Sequence, residues 1–403
     1  MGLFYNRIAN FSTPEMEIFS ERLFFLSITG IICEYNPFHL GHKRQLDCIR
    51  EENSGIVCLM SGNFVQRGAP AIVDKSLRAK AAILSGADLV LELPVTVSLR
   101  SAEGFAQGSV SILSKFCDQL SFGAESGDVS RLMDTASFLL SETFSHSLQK
   151  HLEKGISFPS ARQAALDELG LDGSLLQRPN NILAVEYCKA ILQQASPMKP
   201  SCIQRNGSYH DQTPDENEPS ATALRHLLES GSPWQSFVPP ETVVCLKNAV
   251  LHAIDHGEKA ILAKLRTMPD AEFEALPYGS EGLWRKLMHA ARQEAALEDI
   301  LVAAKSKRYT RTRLDRMVMC AFLGINEQSL NAPVPYVRVL AFNDKGREIL
   351  KTARQAGHFP NVGERQDHPY QLLEDRCGDL YGLFAQTPER PGIEATRRVY
   401  YQA

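Results

Sequence analysis

The sequence predicts an α/β protein. A doubly wound parallel sheet is expected in residues 25–235, followed by a mainly α-helical region over residues 236–403. Three observations predict this. Short apolar runs bounded by Gly, Pro and polar residues recur at 24–33, 55–60, 87–94 and 119–125, as strands buried on both faces do. Helical patterns fill the gaps between them, at the spacing of crossover connections. Beyond residue 235, apolar residues fall at three- and four-residue intervals over 242–265 and 281–323.

Residues 1–24 read as an N-terminal extension. The run Arg22–Cys33 is as apolar as a signal-peptide core. However, acidic Glu15, Glu17 and Glu21 precede it and no small-residue cleavage site follows, so it reads as the first strand. A helix opens in Lys43–Arg50. The second strand, Gly55–Met60, runs into a loop, Ser61–Pro70. A helix spans Asp74–Ser85 and Gly86 stops it. The third strand is Ala87–Pro94, a helix covers 99–115, and the fourth strand is Gln119–Glu125. A helical stretch over 131–169 is broken at Gly155–Pro159, and Arg178–Leu183 turns into a helix over 184–194. Ser201–Arg205 is a further strand. Asp211–Pro219 is polar with two prolines and reads as a mobile loop. Ser220 opens another helix, and 233–240 is a linker.

The chemistry concentrates after the first strand, in Glu34-Tyr-Asn-Pro-Phe-His-Leu-Gly-His42. Strand, turn and helix N-terminus together place unpaired backbone N–H groups where an anion is favoured. Gly41, lacking a Cβ, lets the backbone approach a ligand. His39 and His42 can both donate to phosphate oxygens and stabilise charge that develops in nucleotidyl transfer. A turn that merely happens to hold two histidines is the plain alternative, and the flanking strand and helix weigh against it. Loops at the carboxyl ends of parallel strands build the site in such sheets. This makes Ser61, Asn63, Gln66 and Arg67 candidate contacts for a second substrate or for phosphates. Ser220-Ala-Thr-Ala-Leu-Arg225 has the form of a phosphate grip: Ser220 caps the helix, Thr222 adds a hydroxyl and Arg225 a fixed cation.

Composition bounds the rest. The 403 residues carry a formal net charge of -4, so a nucleic-acid surface has to be a local patch. One such patch exists. Lys305, Lys307, Arg308, Arg311, Arg313 and Arg316 face a single acid, Asp315, within twelve positions. Solvated helix faces usually mix signs, and Tyr309 and the hydroxyls nearby suit an RNA backbone. The nine cysteines lack C-x-x-C spacing, so no metal site is expected, and reduced thiols in a cytoplasmic protein are. No apolar run reaches the length of a membrane span.

The His39–His42 core resembles the His-x-Gly-His signature of the nucleotidyltransferase superfamily, which includes class I aminoacyl-tRNA synthetases. Ser220–Arg225 resembles the superfamily's second signature. The fuller string EYNPFHLGH, with Tyr336–Leu350, resembles the bacterial tRNA(Met) cytidine acetate ligases, and the resemblance runs from about Ile31 to about Leu350. Gln355–Tyr370 departs from that pattern. The resemblance implies a Rossmann-like nucleotidyltransferase fold. It also implies an ATP site drawn from Ile32, Cys33, Glu34, Tyr35, Asn36, Pro37, Phe38, His39, Leu40, Gly41, His42, Lys43, Arg44 and Gln45. Gly123 and either Asn180 or Asn181 would seat the nucleoside, and Arg205 and Arg225 would neutralise phosphate charge. Either asparagine could instead serve only as a helix cap. Catalysis would fall to His39 and His42, with ATP, its companion Mg²⁺ and acetate as small reactants. The cytidine amine of elongator tRNA(Met) would be the acceptor, held by the basic segment. Two other readings share these motifs. A small-molecule adenylyl- or cytidylyltransferase would not need the helical half or the basic segment. A non-enzymatic RNA-binding protein with a relic nucleotide site would not need both signatures intact.

Overall fold

In a computed structural model, residues 27–51, 54–205, 220–306, 309–358 and 360–403 are described. The expected extension (1–24), the first residues of the opening strand, the loop 211–219, Lys307 and Arg308 lie outside them. Strand β1 (Ile28–Cys33) pairs in parallel with β2 (Gly55–Ser61), Ile28 opposite Gly55 and Cys33 opposite Met60. Within the expected loop 61–70, β3 (Phe64–Val65) and β4 (Ala69–Pro70) form a small antiparallel hairpin. The main sheet continues with β5 (Leu89–Leu93), β6 (Gln119–Ala124), β7 (Lys199–Gln204), β8 (Val339–Phe342) and β9 (Tyr400–Tyr401). Its order is β7-β6-β1-β2-β5-β8-β9, and the first five strands are parallel.

The all-apolar run of β2 explains why both faces must be covered. Alternation sends Ile56, Cys58 and Met60 to one face, where they meet Leu46 of the helix Leu40–Ile49 and Ala79, Ala82 and Ile83 of the helix Lys75–Leu84. Val57 and Leu59 go to the other face. There they meet Phe105 and Val110 of the helix Ala102–Leu113 and Val185 and Cys188 of the helix Pro179–Gln193. Each Leu or Ile buried in this way contributes about 1.5–3 kcal/mol. The helical half has its own core, built on the helices Ile254–Thr267, Leu283–Gln293, Leu297–Ala304 and Arg311–Leu323.

Several boundaries differ from the sequence reading, each for a tertiary reason. The first helix starts at Leu40 rather than at Lys43, because His39 caps it. The helix expected over 242–265 splits, since His252 donates its N–H to Ile72 O (2.9 Å) and Ala253 to Phe384 O (3.0 Å) instead of to the helix ladder. The chain after 236 also does not stay away from the sheet. β8 adds antiparallel to β5, and Ile349, Leu350 and Ala353 of the helix Asp344–Gln355 join the core against Val57 and Leu59.

A buried ionic network ties the two halves together at the carboxyl end of β5. Lys75 Nζ lies 2.6 Å from Glu92 and 3.0 Å from Glu394. Arg338 reaches Glu394 at 2.7 Å and Glu374 at 3.4 Å, and Arg397 reaches Asp74 at 2.7 Å. Burial and the charge of Glu92 push the Glu374 carboxyl up to about 7. Burial alone would raise Glu394 too, but Lys75, Arg397 and Arg338 overcome it and hold that group at about 2. Among the described residues no helix is long and apolar enough to cross a membrane.

Candidate active site

Strand order reverses between β1 and β6, and ligands of doubly wound sheets bind at such a switch point. A pocket lies there, lined by Gly41, His42, Arg44 and Gln45 after β1, by Gly123 on β6, and by Ile203, Gln204 and Arg205 at the end of β7.

His39 sits at the N-cap of the helix Leu40–Ile49, and its Nδ1 accepts the Gly41 N–H at 3.1 Å. Its own backbone N–H donates to His42 Nδ1 at 3.3 Å, completing a capping box made of two imidazoles. Because both Nδ1 atoms accept N–H groups, the proton of each neutral ring belongs on Nε2. The rings stack, 3.6 Å between centroids. Burial, with Arg205 and Arg225 nearby, lowers the His39 pKa to about 3. Burial, His39 and Arg205 hold His42 well below its ordinary value. Both rings are thus neutral donors near pH 7 rather than imidazolium ions.

His39 is only 1% exposed, whereas an exposed turn would be the simple expectation for such a motif. Gly41 serves its ring directly: a Cβ there would stand 3.0 Å from His39 Cε1. Beneath His42 lie Phe38 and Tyr35, edge to face at 4.7 Å, with the Tyr35 ring 4.8 Å from His42. Tyr35, Asn36 and Phe38 are buried, so these members of the expected ATP stretch shape the wall from behind. The Asn36 amide oxygen takes the Ile72 N–H at 2.7 Å. Ile32 and Cys33 end β1; Leu40 opens the helix, and Lys43 pairs with Asp47 on its surface.

The remaining candidates divide clearly. A Cβ at Gly123 would stand 2.8 Å from Arg205 Cδ, so the glycine makes room for the arginine to cross β6 beside the pocket. Arg225 donates to Asn36 O (2.9 Å) and to Thr222 Oγ1 (3.1 Å), which sets its guanidinium beside the His39 loop, and Ser220 Oγ caps its helix through the Ala223 N–H. Asn180 and Asn181 both lie at the N-terminus of the helix Pro179–Gln193, where the Glu125 carboxylate accepts their backbone N–H groups. Asn181 is buried and its side-chain oxygen accepts the Ser126 N–H at 2.9 Å. Asn180 is half-buried and donates its amide to Glu125 at 2.9 Å. In the hairpin loop, Ser61 and Asn63 are buried, bonded to Ser98 (3.0 Å) and to the Lys75 N–H (2.8 Å). Gln66 is half-buried, with its N–H on Glu34, and Arg67 is exposed. Pocket residues Ile203 and Gln204 escaped the sequence reading; only their place beside Arg205 at a strand end signalled them.

The basic segment packs on the hairpin formed by β3 and β4. A Cβ at Gly68, in the turn between β3 and β4, would stand 2.5 Å from the Arg316 backbone nitrogen, so hairpin and helix Arg311–Leu323 touch backbone to backbone. Lys305 is exposed. Arg311 forms a two-pronged pair with Glu298 (2.6 Å each) and a bond to Asp315 (2.7 Å). Arg313 bonds Tyr278 O (2.7 Å) and lies over the Tyr309 ring. Arg316 differs from the solvent-facing cation expected of it: it is 8% exposed, with its guanidinium over Tyr278. Among the described residues no three His, Cys, Asp or Glu side chains gather to hold a metal ion.

Comparisons with known proteins show the family. The HIGH Nucleotidyl Transferase family model matches residues 26–392. A tRNA(Met) cytidine acetate ligase of Clostridium perfringens is 38% identical over 353 residues, 82% of this chain and 88% of that protein. One of Clostridium acetobutylicum is 35% identical over 380 residues, 86% of this chain and 92% of that protein. The crystal structure of Thermotoga maritima TmcAL superposes with a TM-score of 0.84 at 29% identity, covering 93% of this chain and 99% of that one. The same protein bound with alpha-thio ATP superposes with a TM-score of 0.82 at 28% identity and the same coverage.

Proposed function

The chain belongs to the HIGH nucleotidyl transferase family and, within it, to the family of the tRNA(Met) cytidine acetate ligases, and from that premise we propose that it is an ATP-dependent ligase that acetylates a cytidine of tRNA(Met). One observation carries the reading: two stacked neutral imidazoles, each with its proton on Nε2, stand at the switch point beside Arg205 and Arg225. Such donors are preorganised for charge that grows on phosphate oxygens.

In the first step an acetate oxygen attacks the α-phosphorus of ATP, the bond to the β-phosphate bridge breaks, and acetyl-adenylate and pyrophosphate form. His39 and His42 donate to the phosphates, and Arg205 and Arg225 offset their charge. Gly123 and Asn180 seat the nucleoside, since Asn180 is half-buried at the helix N-terminus whereas Asn181 is buried. In the second step the exocyclic amine of the wobble cytidine of elongator tRNA(Met) attacks the acyl carbon, AMP leaves, and the amine gives up a proton. Mg²⁺ would enter as the partner of ATP in the substrate complex and would offset phosphate charge there. Lys305, Arg311 and Arg313, with Arg67 on the adjoining hairpin, hold the tRNA backbone next to the site.

The test is incubation of the purified protein with Mg-ATP, labelled acetate and tRNA, followed by mass spectrometry of the tRNA nucleosides. Labelled acetylcytidine in tRNA(Met), matched by AMP, is expected. ATP turnover that ignores both acetate and tRNA would overturn the reading.

A further inference from the structure

Arg78 is 1% exposed, on the helix Lys75–Leu84, and no carboxylate lies within ion-pair distance of it among the described residues. Its guanidinium is spent on main-chain carbonyls. Nε donates to Val73 O at 2.9 Å; Nη1 donates both to Glu34 O at 2.6 Å and to Ser61 O at 3.0 Å, and Nη2 donates to Gly62 O. Glu34 opens the loop that carries His39. Ser61 and Gly62 open the hairpin loop on the neighbouring strand. One side chain therefore fixes the separation of the two loops at the carboxyl ends of β1 and β2.

The need for such a grip is local. Tyr35, next after Glu34, has φ of 46°, a left-handed conformation that L-residues with large side chains rarely hold without support. Arg78 holds the carbonyl just before Tyr35, and Arg225 holds the carbonyl of Asn36 just after it. Arg225 lies beside the His39 loop as a candidate phosphate ligand, while Arg78 is sealed from solvent with its donors on main-chain carbonyls.

We infer that Arg78 is a positioning residue for the activation step: its planar fork holds the Glu34 and Ser61–Gly62 carbonyls so that the Tyr35–Phe38 wall sets His42 and His39 against the phosphates. This rests on the reading of the site as an acetate-activating nucleotidyl transfer centre. A lysine cannot replace it, because a single ammonium point cannot span carbonyls of residues 34, 61, 62 and 73 at once.

The experiment compares the full-length wild type with Arg78→Lys and Arg78→Gln in acetate-dependent ATP–pyrophosphate exchange, together with thermal unfolding and near-UV circular dichroism over a range of temperatures. A folded Arg78→Lys protein with kcat lowered about a hundredfold, the scale of an ångström-sized misplacement, and KM for ATP within about threefold is expected, because the Gly123–Arg205 wall does not depend on Arg78. A purely structural role would lower the melting temperature but leave the folded fraction with wild-type kcat. Unchanged kcat in a folded variant overturns the inference. So does failure of both variants to fold at any temperature tested, which assigns Arg78 to stability alone. If the wild type itself shows no acetate-dependent exchange, the reading of the site fails first and the inference falls with it.

Discussion

The imidazole rings of His39 and His42 lie face to face, 3.6 Å apart, and each presents its Nδ1 to a backbone N–H of the same helix turn. Two imidazolium ions would not tolerate that distance in a buried site. The pairing thus fixes the rings as neutral donors, and it uses the same bonds that start the helix.

Separating catalysis from capping follows from this. Asparagine at position 39 keeps a short side-chain acceptor for the N-cap but loses the Nε2 donor. His39→Asn and His42→Gln should lower kcat of pyrophosphate exchange by a factor on the order of 10²–10³, about 3–4 kcal/mol of transition-state stabilisation each, with a much smaller change in stability. Steady-state kinetics beside urea unfolding checks this; wild-type kcat in both folded variants would remove the rings from the chemistry.

Gly123→Ala should act on affinity rather than turnover. The added methyl would stand 2.8 Å from Arg205 Cδ and push that side chain away from the pocket. KM for ATP should rise about tenfold, the worth of one weakened charge-assisted bond, with kcat less affected. A KM that stays put would mean that Arg205 does not hold the nucleotide.

The pH dependence of stability has a contribution of definite sign from Glu374. Its carboxyl is raised to about 7 in the folded protein by burial and Glu92, above the ordinary 4.5. A group shifted upward contributes stability that is full below the unfolded pKa and is lost as pH climbs through 7. A glutamine at this position would stay neutral throughout. Glu374→Gln should therefore match the wild type near pH 4.5 and be more stable at pH 8, by roughly 1–3 kcal/mol, in denaturant unfolding. Lower stability of the variant at pH 8 would show that Arg338 needs the charge.

The basic segment makes its own prediction. Lys305→Ala, Arg311→Ala and Arg313→Ala combined should weaken tRNA binding and reduce its salt dependence, each lost phosphate contact removing about 0.7–0.9 from the slope of log affinity against log salt. Folding should suffer little from the loss of the Arg311–Glu298 pair, since exposed ion pairs are worth about 0–1 kcal/mol. KM for ATP should not move. An unaltered salt slope in the folded variant would move the tRNA surface elsewhere.

The parallel strands, the capped helix starts at His39 and Ser220 and the helical second half were legible in the sequence because each is a local pattern. Apolar runs of strand length, a histidine pair bracketing a glycine, and a serine three residues before its bonded N–H all lie within a few residues of one another. The tertiary structure alone decided what depends on residues distant in sequence. It returned Val339–Phe342 to the sheet beside Leu89–Leu93, because the edge of β5 had unpaired backbone groups to satisfy. It docked the basic segment on the hairpin at Gly68, buried Arg316 on Tyr278 and paired Arg311 with Glu298 at the surface, so a run that reads as a free cationic face is partly committed to partners within the chain. It also turned Arg78, which in the sequence is one more cation on an amphipathic helix, into the clamp between two loops. A charge pattern records which side chains are available; their partners are set by the packing of elements far apart in the chain, and burial makes those partners obligatory.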